Sequence, residues 1–246
     1  MTVSRRNLLR NAGIFGASTA VAGPAIAMSS KPAVDPLADK VIVDFGHGVA
    51  SGDPLSLWTR ISPQINTATE VSWRICDDIE MQQEVNSGII TTDSKRDFTV
   101  KVDADGLLPN TWYYYQFSAG NKLSAIGRTK TAAETGLDRL RLAVVSCSSF
   151  PHGYFNVYRI LAERNDLDAV VHLGDYIYEY GVGEYGEKSL EQQRDLLPKH
   201  EIVTLTDYRQ RHNLYKRDLD LQAVHQQYPF IVTWDDHEFA NDTWKD

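Results

Sequence analysis

The sequence predicts an all-β sandwich followed by an α/β portion. Two patterns predict it. Over residues 40–133, short alternating segments are separated by turn signals built on Gly, Pro, Asp and Asn. From residue 138 the chain changes to continuous apolar runs with a helical stretch between them, the pattern of strands buried in a parallel sheet. A chain of 246 residues is long enough for one large or two ordinary domains with their own cores.

Composition narrows the function classes. Hydrophobic content of 42% and charged content of 24% fit a globular protein. The net charge is −8, and the chain carries no long basic block outside its first ten residues, so it has no nucleic-acid-binding feature. Two cysteines, Cys76 and Cys147, can pair at most once and cannot form a disulfide framework.

Residues 1–27 read as an address. Ser4-Arg5-Arg6-Asn7-Leu8-Leu9-Arg10 precedes a mild apolar run from Ala12 to Ala22, and Ala25-Ile26-Ala27 forms a small-x-small cleavage site. The run is too short and too glycine-rich to span a bilayer, so no transmembrane segment is expected in the mature chain. The paired arginines followed by two leucines resemble a twin-arginine translocation signal. That resemblance implies the twin-arginine machinery as an export partner, folding before export, and a periplasmic, secreted or cell-wall destination. Residues 28–39 read as a polar linker.

Within residues 40–133 the expected strands are Leu55–Ile61, Glu70–Cys76, Asp97–Asp103 and Thr111–Ala119, with Gly52-Asp53-Pro54, Ser62-Pro63, Asp105-Gly106 and Ala119-Gly120-Asn121 between them. Leu107-x-Pro109-x-Thr111-x-Tyr113-x-Tyr115 resembles the tyrosine-corner strand of fibronectin type III domains. The period of two puts Tyr113, Tyr115 and Phe117 on one face and Trp112, Tyr114 and Gln116 on the other. That aromatic run reads as core plus a domain interface. His47 and Asp53 read as turn residues.

Residues 138–246 open with a buried strand, Leu140–Ser146, ending at Cys147-Ser148-Ser149. A short helix over Tyr154–Glu163 follows, carrying Phe155, Tyr158 and Leu161. A second strand, Asp168–Leu173, then completes a βαβ unit. Gly181–Thr204 reads as a long polar excursion over the strand ends, a candidate lid or wall. A helix is expected from Thr206 as N-cap, with Tyr208, His212, Tyr215 and Leu219 on one face. Tyr228–Thr233 is the third strand and runs into Trp234-Asp235-Asp236-His237-Glu238.

Each strand thus ends in groups able to bind a cation: Cys147, then Asp175 with Tyr178, then Asp235-Asp236-His237. In a parallel α/β sheet such groups gather past the carboxyl ends of the strands. Bound cations would also relieve the repulsion among clustered carboxylates.

The motifs Gly174-Asp175-x-x-Tyr178 and Asp236-His237-Glu238 resemble those of the calcineurin-like metallophosphoesterases. The closer likeness is to the PhoD-type alkaline phosphatases. It rests on Ser146-Cys147-Ser148, Gly174-Asp175-Tyr176-Ile177-Tyr178-Glu179 and Trp234 to Glu238 with Asn241-Asp242. In the N-terminal part it rests on Gly48 to Pro54 and Leu57-Trp58-Thr59-Arg60.

The resemblance implies a fibronectin III-like β-sandwich followed by the first half of a metallophosphoesterase α/β sandwich. It implies a phosphoester substrate, either monoester or diester, and Fe3+ and Ca2+ as metals. Carried over by position, Cys147, Asp175, Tyr178 and Asp236 would be metal ligands, with Asp175 bridging. His237 would serve catalysis without binding metal. Relatives complete the site with later ligands, so the chain is expected to be a fragment truncated on its C-terminal side with little activity alone. The competing readings are a phospholipase D-like phosphodiesterase and a non-catalytic cell-surface β-sandwich binding module.

Overall fold

The computed structural model describes residues 43–52, 56–63, 66–185 and 194–244. The expected export signal, the linker and Asp53 lie outside them. The described residues form two sheets and three α-helices.

The first sheet has six strands, ordered β5-β2-β1-β11-β10-β9. Strands β1 (Val49–Gly52), β2 (Ser56–Arg60) and β5 (Thr99–Asp103) are antiparallel neighbours. Strands β9 (Leu142–Val145), β10 (Ala169–His172) and β11 (Pro229–Val232) are parallel. The join is parallel pairing of β1 with β11, Ser51 opposite Pro229 and Gly52 opposite Phe230. The second sheet, β4-β3-β6-β7 with β8 also on β6, is antiparallel throughout. It contains β3 (Thr69–Cys76), β4 (Glu84–Thr92), β6 (Trp112–Ala119), β7 (Lys122–Leu123) and β8 (Gly127–Lys130).

The two sheets meet in one core. Val49, Leu57, Val100 and Val102 from the first pack with Val71, Ile75, Tyr113, Tyr115 and Phe117 from the second. Full burial of side chains of this size stabilises by roughly 1.5–3 kcal/mol each. The alternation read along β6 holds, with Tyr113, Tyr115 and Phe117 inside. Tyr113 Oη also accepts the Leu108 N–H at 2.8 Å, tying the strand to the backbone before it.

The sheet order adds one feature that the sequence does not predict: β1, within residues 40–133, also pairs with β11 of the parallel strands. Side chains reinforce the join. The Arg128 guanidinium lies over Trp112 at 4.2 Å and Tyr228 at 5.1 Å, Gln226 donates to the Ile126 carbonyl at 2.8 Å, and Asn213 donates to Asp97 at 2.8 Å.

Four local expectations also change. Strand β4 was not foreseen; Gly88 interrupts its pattern because the Trp73 indole lies over it, where a Cβ would come within 2.9 Å of Nε1. Asp97 and Phe98 are left-handed, φ 52° and 53°, so β5 starts only at Thr99. Helix α2 (Leu205–Tyr215) starts two residues early, because Thr204 and Asp207 form a reciprocal capping box. The helical face expected through Leu219 breaks at Lys216–Asp218, where Asp218 caps a separate helix, α3 (Leu219–Gln227).

Helix α1 (Asn156–Glu163) lies with α3 on one face of the parallel strands, around Tyr158, Val170, Tyr215, Leu221, Val224 and Phe230. On the other face Leu142, Val144 and Ile231 are exposed, so β9 is an edge strand rather than the buried one expected.

Candidate metal centre at the strand ends

The register brings the three strand ends level, with His172 opposite both Val145 and Val232. Beyond them the backbone keeps bonding. Leu173 N donates to Val145 O at 2.9 Å, Cys147 N to Gly174 O at 3.2 Å, Ser148 N to Asp175 O at 2.8 Å and Thr233 N to His172 O at 3.0 Å. Cys147 and Asp175 both sit in the left-handed region, φ 58° and 54°. Such backbone costs of order 1–3 kcal/mol per residue and persists where its surroundings hold it. Gly174 has φ 110°, and a Cβ there would lie 2.5 Å from Asp235 Cβ, so only glycine lets the second and third loops approach.

Asp175 is the centre of the cluster. Its Oδ2 accepts from Cys147 Sγ at 3.4 Å and from Tyr178 Oη at 3.3 Å. Its Oδ1 is buried and has no hydrogen-bond partner. Donor atoms of Asp175, Asp236 and His237 lie within 4.8 Å of one another. Burial first, and then the Asp175 carboxylate, push the Tyr178 phenol well above its ordinary pKa. Asp236 Oδ2 accepts the Asp242 N–H at 2.5 Å, the main cause holding its carboxyl below the usual range.

Three buried side chains hold these groups from behind. Glu238 accepts from the backbone N–H of Asp175 at 3.1 Å, Tyr176 at 2.5 Å and Asp235 at 2.7 Å, fastening the second loop to the third. Glu179 accepts from His237 Nδ1 at 2.9 Å and from Asn241 N at 2.7 Å. With Nδ1–H donated to a carboxylate, Nε2 is the ring nitrogen left for other partners. Arg211 of α2, 0% exposed, donates to the carbonyls of Tyr178, Tyr180, Leu197 and Pro198. Those bonds tie Leu197 and Pro198 to the strand-end segment; residues 186–193 of the expected excursion lie outside the described residues. The rings of Tyr178 and His237 are 4.4 Å apart, and Tyr180 stacks on Tyr185 at 4.9 Å.

All five residues singled out from the sequence, Cys147, Asp175, Tyr178, Asp236 and His237, lie at this rim. Asp175 touches Cys147 and Tyr178 directly and shares the 4.8 Å cluster with Asp236 and His237. Cys147 and Cys76 are both free thiols, the first exposed and the second buried. Sequence reasoning assigned no partner to Glu179 or Glu238. The available signal for Glu179 was an acid between tyrosines, whereas Glu238 carried none, being one acid among several.

The family described as PhoD-like phosphatase matches residues 142–246, and its N-terminal domain matches residues 27–133. This chain belongs to the PhoD-like phosphatase family. It is similar to alkaline phosphatase D of Bacillus subtilis (strain 168), 42% identical over 210 residues, covering 80% of this chain and 36% of the relative. It is also similar to the solved structure of PhoD, with TM-score 0.75 and 41% identity, covering 80% of this chain and 40% of that one. The chain therefore spans well under half the length of these relatives.

The donor set of this PhoD-like chain fits a bound cation. A buried carboxylate oxygen without a partner sits beside a thiol, a phenol, a second carboxylate and an imidazole. Oxygen and sulfur donors together suit a strongly Lewis-acidic transition ion better than magnesium.

Proposed function

We propose that this chain is part of an exported, metal-dependent phosphoester hydrolase acting on phosphomonoesters or phosphodiesters. The observation that carries the reading is Asp175, buried with Oδ1 unpartnered while Cys147 and Tyr178 converge on Oδ2. Likeness to alkaline phosphatase D supports the reaction class. Asp175 would bridge two ions, Cys147 and Tyr178 would serve a ferric ion, and Asp236 a calcium ion. When bound, such ions supply Lewis acidity and an acidified water.

The remaining work falls to the chain itself. His237, its Nδ1–H held by Glu179, would offer Nε2, when protonated, as a donor to the phosphoryl oxygens or to the leaving oxygen. Glu238 keeps the second and third loops together while charge builds up between them. Arg211 holds the backbone that carries Tyr178. Export rests on Ser4-Arg5-Arg6-Asn7-Leu8-Leu9 and would be lost when Arg5 and Arg6 are both replaced by lysine.

The test is iron content and visible absorption after loading with ferric iron, together with nitrophenyl phosphate and bis(nitrophenyl) phosphate hydrolysis in a form extended to the relatives' length. Tyr178→Phe should lose the phenolate charge-transfer band and keep the fold. Asp175→Asn should lose both metals and activity. His237→Ala should keep the metals and slow turnover by roughly 10²–10⁴-fold. A wild-type enzyme that hydrolyses either ester at full rate after metal removal would sink this reading.

A further inference from the structure

We propose that His172 is a positioning residue that sets the spacing between Cys147 and Asp175 by clamping their two loops together. The ring is completely buried at the end of β10. Its Nδ1 accepts the backbone N–H of Gly174 at 3.3 Å. A backbone N–H can only donate, so Nδ1 carries the lone pair and Nε2 carries the proton. That Nε2–H lies 3.0 Å from Ser148 Oγ and donates to it. Ser148 is in turn hydrogen-bonded to Tyr158 Oη on α1.

The two bonded residues are the immediate neighbours of the two donors. Gly174 precedes Asp175, and Ser148 follows Cys147. One imidazole therefore spans the gap between the first and second loops, as Glu238 spans that between the second and third. The backbone on both sides of the gap is left-handed, at Cys147 and Asp175, and needs an external hold. The same tautomer also settles the role of Ser148. With Nε2–H already donating to it, His172 cannot take a proton from Ser148, so the pair is a tie rather than a nucleophile and its base.

The consequence for metal binding rests on the reading of Cys147 and Asp175 as ligands, whereas the clamp itself is tested without metal. In the metal-free 246-residue chain, His172→Phe keeps the ring and removes both bonds, while His172→Asn offers an amide oxygen near the place of Nδ1. Amide hydrogen exchange and labelling of Cys147 by an aromatic disulfide are compared with wild type. His172→Phe should speed exchange at Cys147, Ser148 and Gly174 by about tenfold, the scale of one or two lost buried hydrogen bonds, with β3 and β6 unchanged. Labelling of Cys147 should quicken several-fold while buried Cys76 stays unlabelled. His172→Asn should recover protection at Gly174.

Ferric iron affinity should fall about tenfold in His172→Phe and less in His172→Asn. Equal acceleration across α1, α3 and β11, with no recovery in His172→Asn, would show an ordinary core residue and overturn the clamp. So would unchanged exchange in both loops. If His172→Phe does not fold, His172→Asn decides alone: protection kept at Gly174 with faster labelling of Cys147 supports the clamp, and wild-type behaviour at both overturns it. Loosened loops in a chain whose wild type binds no iron would uphold the clamp and refute the metal reading.

Discussion

Phe117 on β6 is 0% exposed, sealed between two sheets, whereas Val144 on β9 and Ile231 on β11 are 60% and 47% exposed. Both regions are sheets of strongly apolar strands. They differ in how many layers the described residues supply: two sheets around the first region, helices on one face of the second. An apolar strand side chain is stabilising only in proportion to the water it leaves. Apolar side chains of similar size therefore carry different energy in the two regions.

That comparison can be broken by mutation. Phe117→Ala should cost about 3–5 kcal/mol in the 246-residue chain, whereas Ile231→Ala should cost well under half as much, measured by denaturant midpoints at constant slope. Equal losses would mean that the bare face is covered in solution.

A smaller effect sharpens the contrast between the cores and the elements that decorate them. Thr204→Ala removes the N-cap of α2 and should cost about 1 kcal/mol. Tyr113→Phe removes the acceptor for Leu108 N–H and should cost about 1 kcal/mol, provided it is made in the whole chain, since β1 belongs to both regions. An unchanged melting midpoint would show that water replaces that bond.

A different effect is one of pH. The Lys216 amine lies between the rings of Trp58 and Tyr176 and 3.0 Å from His225 Nε2, and no carboxylate among the described residues pairs with it. Burial lowers its pKa to about 7. The folded-state value is below the unfolded one, so between about pH 7 and the ordinary lysine range the unfolded chain binds more protons and stability rises with pH. His172, pushed down to about 4 by burial and by Lys216, adds a rise of the same sign between about pH 4 and the ordinary histidine range. Lys216→Met should therefore raise the melting temperature more at about pH 6 than at about pH 10. A gain independent of pH would show that the amine reaches solvent.

The parts legible in the sequence were those whose cause is local. The alternation of Tyr113, Tyr115 and Phe117 names the core face of β6, and Gly174-Asp175 after an apolar run names a strand end. Tyr178 is placed by its distance from Asp175 along the chain. The parts missed have remote causes. Gly88 looks like a strand breaker until Trp73 is seen lying across it. The break before α3 is hidden because Leu219 keeps the helical spacing while Asp218 caps a new helix. Glu238 reads as one more acid in an acidic stretch, yet its partners Asp175 and Tyr176 come from another strand end. The pairing of β1 with β11 leaves no mark in either segment, because a strand carries no sequence label for its neighbour.

That pairing also sets a schedule for synthesis. Ser51 leaves the ribosome early, and its partner Pro229 only near the end of this chain. Until then β1 has one edge open, although β2, β5 and the facing sheet are already made. Contacts so far apart along the chain slow folding and leave unpaired edges open to wrong neighbours. A nascent chain halted before β11 should accordingly keep the free edge of β1 open to wrong neighbours, while the β3–β4 hairpin, whose strands are close in sequence, can form first.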